Sequence, residues 1–242
     1  MNNLFYYSDL FRGVLSIVDF YITKKGAAMF DEIRVLTHSS IRIAGKEILY
    51  FDPYNVNEAA HDADIIFVTH EHFDHFSPED IAKLKNDMTI LICPASMKDR
   101  LEESGIDWEH TELVEPGDEL EVDDIKICAI ASYNVGKQFH PKENAWVGYL
   151  VTMNDTTYYV AGDTDINDDI KKIKCDAAML PCGGTYTMTD KEAAELALII
   201  EPKLAIPTHY GSVAGDADCG KRFADAVKAG NPNIEVSVRM EY

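Results

Sequence analysis

The chain has 242 residues, 46% of them hydrophobic and 10% aromatic, which excludes a disordered or low-complexity chain and provides a real core for one domain, or two small ones. Its 22 Lys and Arg against 42 Asp and Glu leave a formal net charge of −20. A surface that acidic repels phosphate backbones and anionic bilayers, so nucleic acid and membrane are excluded as expected partners and a small-molecule substrate is expected instead. Five scattered cysteines (Cys93, Cys128, Cys175, Cys182, Cys219) contain no C-x-x-C and are read as reduced thiols, neither a disulfide framework nor a thiolate zinc site.

Residues 1–30 are read as an N-terminal extension. Its apolar run Leu10–Ile22 has no Lys or Arg before Arg12, is broken by Asp19 and has no convincing cleavage site after it. An amphipathic lead-in helix or a partner-binding segment is expected rather than an export signal, which places the chain in the cytoplasm. Translation from Met29 is the other reading, and the aromatic extension leaves room for a homo-oligomer. No run of about 20 apolar residues predicts a transmembrane helix. Residues 31–242 are expected to form one α/β domain with two sheets. Strands are predicted at 33–36, 40–44, 48–51, 64–69 and 89–93. Ser77-Pro78-Glu79-Asp80 carries an N-cap, a first-turn proline and an acidic residue, and predicts a helix to about Leu84. A second helix is predicted over 95–104, then strands over 119–131, 146–153, 156–161 and 177–180, with Asn154-Asp155 as a hairpin turn. Thr189…Glu192 is a capping box, and Ala193, Leu196, Ala197 and Ile200 follow at helical spacing. A strand at 204–207, a helix near 218–228 and a strand at 234–239 close the pattern.

One stretch concentrates chemistry. Thr69-His70-Glu71-His72-Phe73-Asp74-His75 places three histidines and an aspartate within six residues, directly after a buried apolar strand. A polar loop with ordinary hydrogen bonds is the bland reading, but clustered imidazoles are strong metal ligands. Imidazole with carboxylate suits zinc first, with manganese or iron as alternatives. Four side chains this close cannot all reach one ion comfortably, so two divalent metal ions are expected.

His70-x-His72-x-Asp74-His75 resembles the signature of the metallo-β-lactamase-fold hydrolases, and the resemblance extends over about Ile33 to Arg239. It implies a four-layer αββα sandwich, two mixed sheets flanked by helices. Asp52-Pro53 resembles the family's early supporting aspartate. Ala161-Gly162-Asp163-Thr164 resembles the motif whose aspartate bridges both metals, and Pro207-Thr208-His209-Tyr210 the motif whose histidine completes the second site. The segments Leu36-Thr37-His38-Ser39-Ser40 and Leu180–Met188 look most like the lactonase and phospholipase-D-like branch that includes ascorbate-6-phosphate lactonase. The implied activity is hydrolysis of a small-molecule ester, lactone or phosphoester by a metal-bridging hydroxide, with Asp74 as a ligand and catalytic group. A phosphodiesterase or nuclease of the same fold, and a non-enzymatic binding protein, are the alternatives. His38 is expected behind the ligands or against substrate, with Tyr186 or Tyr210 as further donors. His61 and His110 are read as surface residues, and Asp165–Asp169 as a solvated loop. The resemblance also implies a third histidine for the first metal, yet Ala131-Ser132-Tyr133-Asn134 holds none. His140, six residues on, is the expected substitute, with Asn134 or water as the alternatives.

Overall fold

The computed structural model describes residues 30–106 and 110–240. The expected extension over residues 1–30 therefore lies almost wholly outside the described residues. The compact unit Glu32–Tyr242 contains two sheets. The first runs in the order β1 (Ile33–Thr37), β2 (Ser40–Ala44), β3 (Ile48–Phe51), β4 (Ile65–Phe67), β5 (Ile90–Pro94) and β6 (Thr111–Val114). The second comprises β7 (Glu119–Val122), β8 (Ile125–Ala131), β9 (Val147–Met153), β10 (Thr156–Val160), β11 (Ala177–Pro181), β12 (Leu204–Thr208) and β13 (Glu235–Val236), in reverse spatial order. The first sheet has two antiparallel and three parallel pairings, and the second three of each. Pairing becomes parallel at β3–β4 in the first and at β10–β11 in the second. The carboxyl ends of β3, β4, β10 and β12 lead into Asp52, the Thr69–His75 loop, Asp163 and His209.

Helices α1 (Pro78–Leu84) and α2 (Lys98–Ser104) belong to the first sheet's side, where Ile66, Val68, Leu91, Cys93, Ile81, Leu84 and Leu101 form one core cluster. Helices α3 (Asp190–Ile200) and α4 (Cys219–Gly230) cover the second, where Ala193, Leu196, Ala197, Ile200, Phe223 and Val227 pack on strand residues such as Ala178, Leu180 and Ala205. The capping box of α3 is present in both directions, as the sequence predicts. Between the sheets, Phe51 and Phe67 are register partners on β3 and β4 and stack at 4.5 Å, and Tyr149 from β9 leans on Phe67 at 4.9 Å. The Tyr149 hydroxyl donates to the Val68 carbonyl at 2.8 Å and the Val147 amide to the Thr69 carbonyl at 3.2 Å. These bonds tie the second sheet to the segment that opens the histidine loop.

Several predicted elements are corrected. The single strand over 119–131 is a hairpin, because Asp123 and Asp124 take left-handed backbone conformations (φ 48° and 69°) that turn the chain between β7 and β8. The helix over 95–104 begins as a 3₁₀ turn, Ala95–Met97, before α2. Strand β6 was not predicted: Thr111–Val114 pairs at the sheet's edge and buries only Val114. The last strand shrinks to two residues.

Candidate metal centre

Asp52, at the end of β3, is fully buried and adopts φ 45°. Its Oδ1 accepts the Thr69 amide at 2.8 Å, and its Oδ2 accepts the Thr69 hydroxyl at 2.8 Å and His75 Nδ1–H at 2.7 Å. That last bond fixes the His75 tautomer and leaves its Nε2 facing inward. The Thr69 hydroxyl, spending its proton on Asp52, can accept from His70 Nδ1–H at 3.0 Å, so His70 also presents Nε2. His75 and Phe76 amides both return to the His72 carbonyl, at 3.0 and 2.8 Å, coiling the loop so that His72 faces His70. His70 Nε2 and His72 Nδ1 lie 3.1 Å apart.

The second sheet supplies the rest. Asp163 follows β10 and is buried, with Gly162 at φ 63° pressed against Thr69. His209 follows β12 with φ 56°, its amide donating to the His38 carbonyl at 3.0 Å. His140 lies in the loop between β8 and β9 and reaches the centre. Asn134 Oδ1 accepts both its amide (3.0 Å) and its Nδ1–H (3.2 Å), leaving Nε2 inward. Asn134 thus stands behind His140 rather than in its place.

Among the described residues, three groups of side chains could each hold a cation: His70, His72 and His140; His70, His75 and Asp163; and His38, Asp74, His75 and His209. Asp163 lies among them, 3.2 Å from His140 Nε2, 3.0 Å from His209 Nε2 and 3.2 Å from His75 Nε2. Yet His75 Nε2, His140 Nε2, both His209 ring nitrogens and Asp163 Oδ1 make no hydrogen bond while fully buried. Each orphaned buried polar atom costs of order 1–3 kcal/mol, and here three of them, the Nε2 atoms of His75, His140 and His209, face Asp163. The donor set, imidazole and carboxylate without thiolate, fits divalent cations. The five cysteines are free and contribute to none of the groups.

The electrostatics agree. Burial opposes charge on His75, but Asp163 and Asp52 beside it hold its pKa well above the usual value. Against the same burial, Asp163 raises His209 to about 9. Burial would raise Asp163, but His209 and His75 hold it well below the carboxylate range. His70 goes the other way, pushed well down by burial and by His75. His38 is lowered to about 4 by burial, although Asp74 favours its charge.

A family model described as a beta-lactamase superfamily domain matches residues 32–209. The chain belongs to the beta-lactamase superfamily. Among relatives of this superfamily member is a UPF0173 metal-dependent hydrolase from Nitratidesulfovibrio vulgaris, 34% identical over 72% of this chain and 78% of that protein. The crystal structure of a protein from Parabacteroides distasonis, assigned provisionally as a metal-dependent hydrolase, matches with TM-score 0.75 and 29% identity, covering 86% of this chain and 93% of that one. Membership with these relatives makes the chain a metal-dependent hydrolase of the superfamily. A diiron beta-hydroxylase from Streptomyces venezuelae shares the fold at 12% identity, TM-score 0.68, over 86% of this chain and 52% of that one. One fold therefore carries different chemistries, and the reaction must be argued from the site.

All the sequence-predicted residues, His38, His70, His72, Asp74, His75, His140, Asp163 and His209, come together in this superfamily member. His38 is buried, with Nε2 3.1 Å from Asp74 Oδ2 and Nδ1 3.1 Å from the Ser212 hydroxyl. It does not line the cavity over the centre, which His72, Asp74, His140 and Asp163 floor and Phe73, Phe139, Tyr186 and Val213 wall. Tyr210 is corrected: its buried ring packs on Gly220, away from that cavity. So is Asp165, which is buried rather than solvated and holds Lys137 Nζ at 2.6 Å and the Val135 amide at 2.9 Å. His61 and His110 are exposed and outside the centre. Sequence reasoning missed Trp146, whose ring lies 5.0, 4.9 and 5.5 Å from those of His70, His72 and His140. A lone tryptophan at a strand start carries no signal that separates it from core.

Proposed function

We propose that the chain is a dinuclear hydrolase of a small-molecule ester or lactone in the cytoplasm, with zinc as its metal and manganese or iron as alternatives. The observation that carries it is the convergence of unsatisfied, buried ring nitrogens on Asp163. His70, His72 and His140 would hold one cation, and Asp74, His75 and His209 the other, with Asp163 between them. Two cations there would supply Lewis acidity, bringing water near ionisation at neutral pH and neutralising charge that develops on a substrate oxygen.

The chain's own residues do the rest. Asp52, Thr69 and Asn134 fix the tautomers of His75, His70 and His140. Asp74 faces the cavity, and its Oδ2, held by His38 Nε2, is the group placed to accept a proton there. His38 is a positioning residue, itself braced by Ser212. Tyr186 lies in the wall within reach of a bound substrate. Among the described residues no Lys or Arg lines the cavity, so a phosphoester would gain no charged contact there beyond the cations, which favours an ester or lactone. The lactone also follows the resemblance of Leu36–Ser40 and Leu180–Met188.

Elemental mass spectrometry on protein purified without chelator tests the centre. About two metals per chain are expected, with losses in both His70→Ala and His140→Ala. One metal, unchanged in His140→Ala, would leave a mononuclear site, and none after loading with zinc or manganese would end the hydrolase reading.

A further inference from the structure

The mouth of the cavity has an unusual composition. Phe73 is 62% exposed and Phe139 45%, whereas most large hydrophobic side chains among the described residues are buried. Exposed aromatics set together over a polar floor mark a binding site more often than a defect. Each is braced edge-on by a tyrosine from another loop: Phe73 by Tyr54 at 5.8 Å and 80°, Phe139 by Tyr186 at 4.7 Å and 88°. Edge-to-face pairs at these distances are favourable arrangements that hold a ring in place.

The loops beneath are anchored as well. The amides after Tyr54, of Asn55 and Val56, donate to the Asp80 carboxylate at 2.7 and 3.0 Å. On the other wall, Asn134 Nδ2 donates to the Tyr186 carbonyl at 2.8 Å, and Lys137 Nζ to the Thr187 carbonyl at 2.6 Å. The two phenylalanines are therefore presented on braced loops, which lowers the ordering cost of binding. Lys137, the cation nearest in sequence to this wall, is committed to Asp165 and Thr187. The cavity holds about 270 Å³, room for a small molecule of one or two rings.

We infer that Phe73 and Phe139 form an aromatic clamp that selects an uncharged substrate, an ester or lactone carrying an aromatic or bulky apolar group beside the scissile carbonyl. This rests on the ester or lactone reading above. Hydrolysis adds water across the acyl C–O bond: the carbonyl carbon gains the hydroxyl, the leaving oxygen gains the proton, and no electrons are exchanged. The clamp accepts the ring while the carbonyl faces His72, Asp74, His140 and Asp163. Beyond the cations proposed at the floor, a doubly charged phosphoester would find no Lys or Arg among the described residues that line the cavity, so the aromatic walls add nothing to its hold.

The test uses two lactones, dihydrocoumarin with an aromatic ring and γ-butyrolactone without one, and 4-nitrophenyl phosphate. Wild type, Phe73→Ala and Phe139→Ala are compared after zinc loading. Binding of dihydrocoumarin to chelator-treated protein is followed in parallel by calorimetry. Each substitution should lower kcat/KM for dihydrocoumarin about tenfold more than for γ-butyrolactone, and should weaken calorimetric binding by about the same factor. Equal losses on both lactones with unchanged binding would overturn the clamp while the hydrolase stands, whereas faster turnover of 4-nitrophenyl phosphate, itself aromatic, than of either lactone would overturn the selection of an uncharged ester or lactone. Clamp-dependent binding with no lactone turnover would uphold the aromatic pocket and overturn the ester or lactone reading instead. Both side chains are largely exposed, so loss of the fold is not expected in either variant.

Discussion

Asn134 shows how one amide does the work of a motif. It accepts from both the backbone and the ring of His140, and its own Nδ2 donates across to the Tyr186 carbonyl. Groups behind a metal ligand are typically worth 10–100-fold in affinity. Asn134→Ala should therefore weaken metal binding by about that factor while the chain stays folded, measured by competition with a chromophoric chelator and by circular dichroism. An unchanged affinity would mean that His140 is oriented by other contacts. The spacing of His70, His72, Asp74 and His75 made most of the centre legible, because imidazoles so close in sequence have few structural uses. His140 was legible only as the nearest histidine to a gap, since no spacing rule says how a loop folds back. Phe73 and Phe139 gave no signal, because a lone aromatic in a loop reads as core until its exposure is known.

At the scale of the element, two glycines set how closely loops approach. A Cβ on Gly183 would lie 2.3 Å from the His209 carbonyl oxygen, a backbone atom that cannot swing aside. Gly183→Ala should cost about 1–3 kcal/mol in urea unfolding and weaken the cation held by His209 more than the one held by His70 and His72. Equal weakening of both sites, or no loss of stability, would show that this approach is not what sets His209. Gly148 is a comparable case within the second sheet, with a Cβ position 2.5 Å from the Ala161 carbonyl oxygen. The elements themselves were legible wherever burial imposed a period, as in α3 and the strands before the histidine loop. Where burial is one-sided and local, as in β6, the pattern is too weak to read. The hairpin at Asp123-Asp124 was missed although paired aspartates are good turn formers, because apolar residues on both sides suggested one long strand.

For the whole molecule, pH decides which of two cation sets fills the centre. His209, with its pKa raised to about 9, and His75, raised well above normal, are stabilised as imidazolium by Asp163. A raised folded-state pKa gives stability that is complete below the unfolded value near 6.5 and is lost as pH climbs through the folded value. Asp163 and Asp74, both lowered, contribute stability that is present above the ordinary carboxylate pKa and lost on acidification below it. Chelator-treated protein should thus be most stable near pH 6.5 with respect to this cluster: it should lose stability between pH 6.5 and 9 as the His209 and His75 contribution goes, and again towards pH 4, where His38 and His70, held neutral in the fold, protonate in the unfolded chain. Metal affinity should move oppositely over the upper of these ranges, rising as imidazoles deprotonate. Thermal melts and metal titrations at pH 6, 7.5 and 9 check both, and a metal affinity independent of pH would contradict the assignment of His75 and His209 as ligands. The charge of −20 adds a broader expectation: raising ionic strength from 0.02 to 0.2 M should raise the melting temperature by screening self-repulsion.

His38, Asp52 and His209 share the left-handed backbone region, with φ of 47°, 45° and 56°. Such conformations cost free energy for residues other than glycine. Few replacements other than glycine would relieve that tension, because Asp and His already tolerate the left-handed region better than most residues with a side chain. Glycine at any of the three would relax the backbone and in the same stroke remove a group that holds, or supports, the centre, so at this corner sturdiness and cation binding pull in opposite directions.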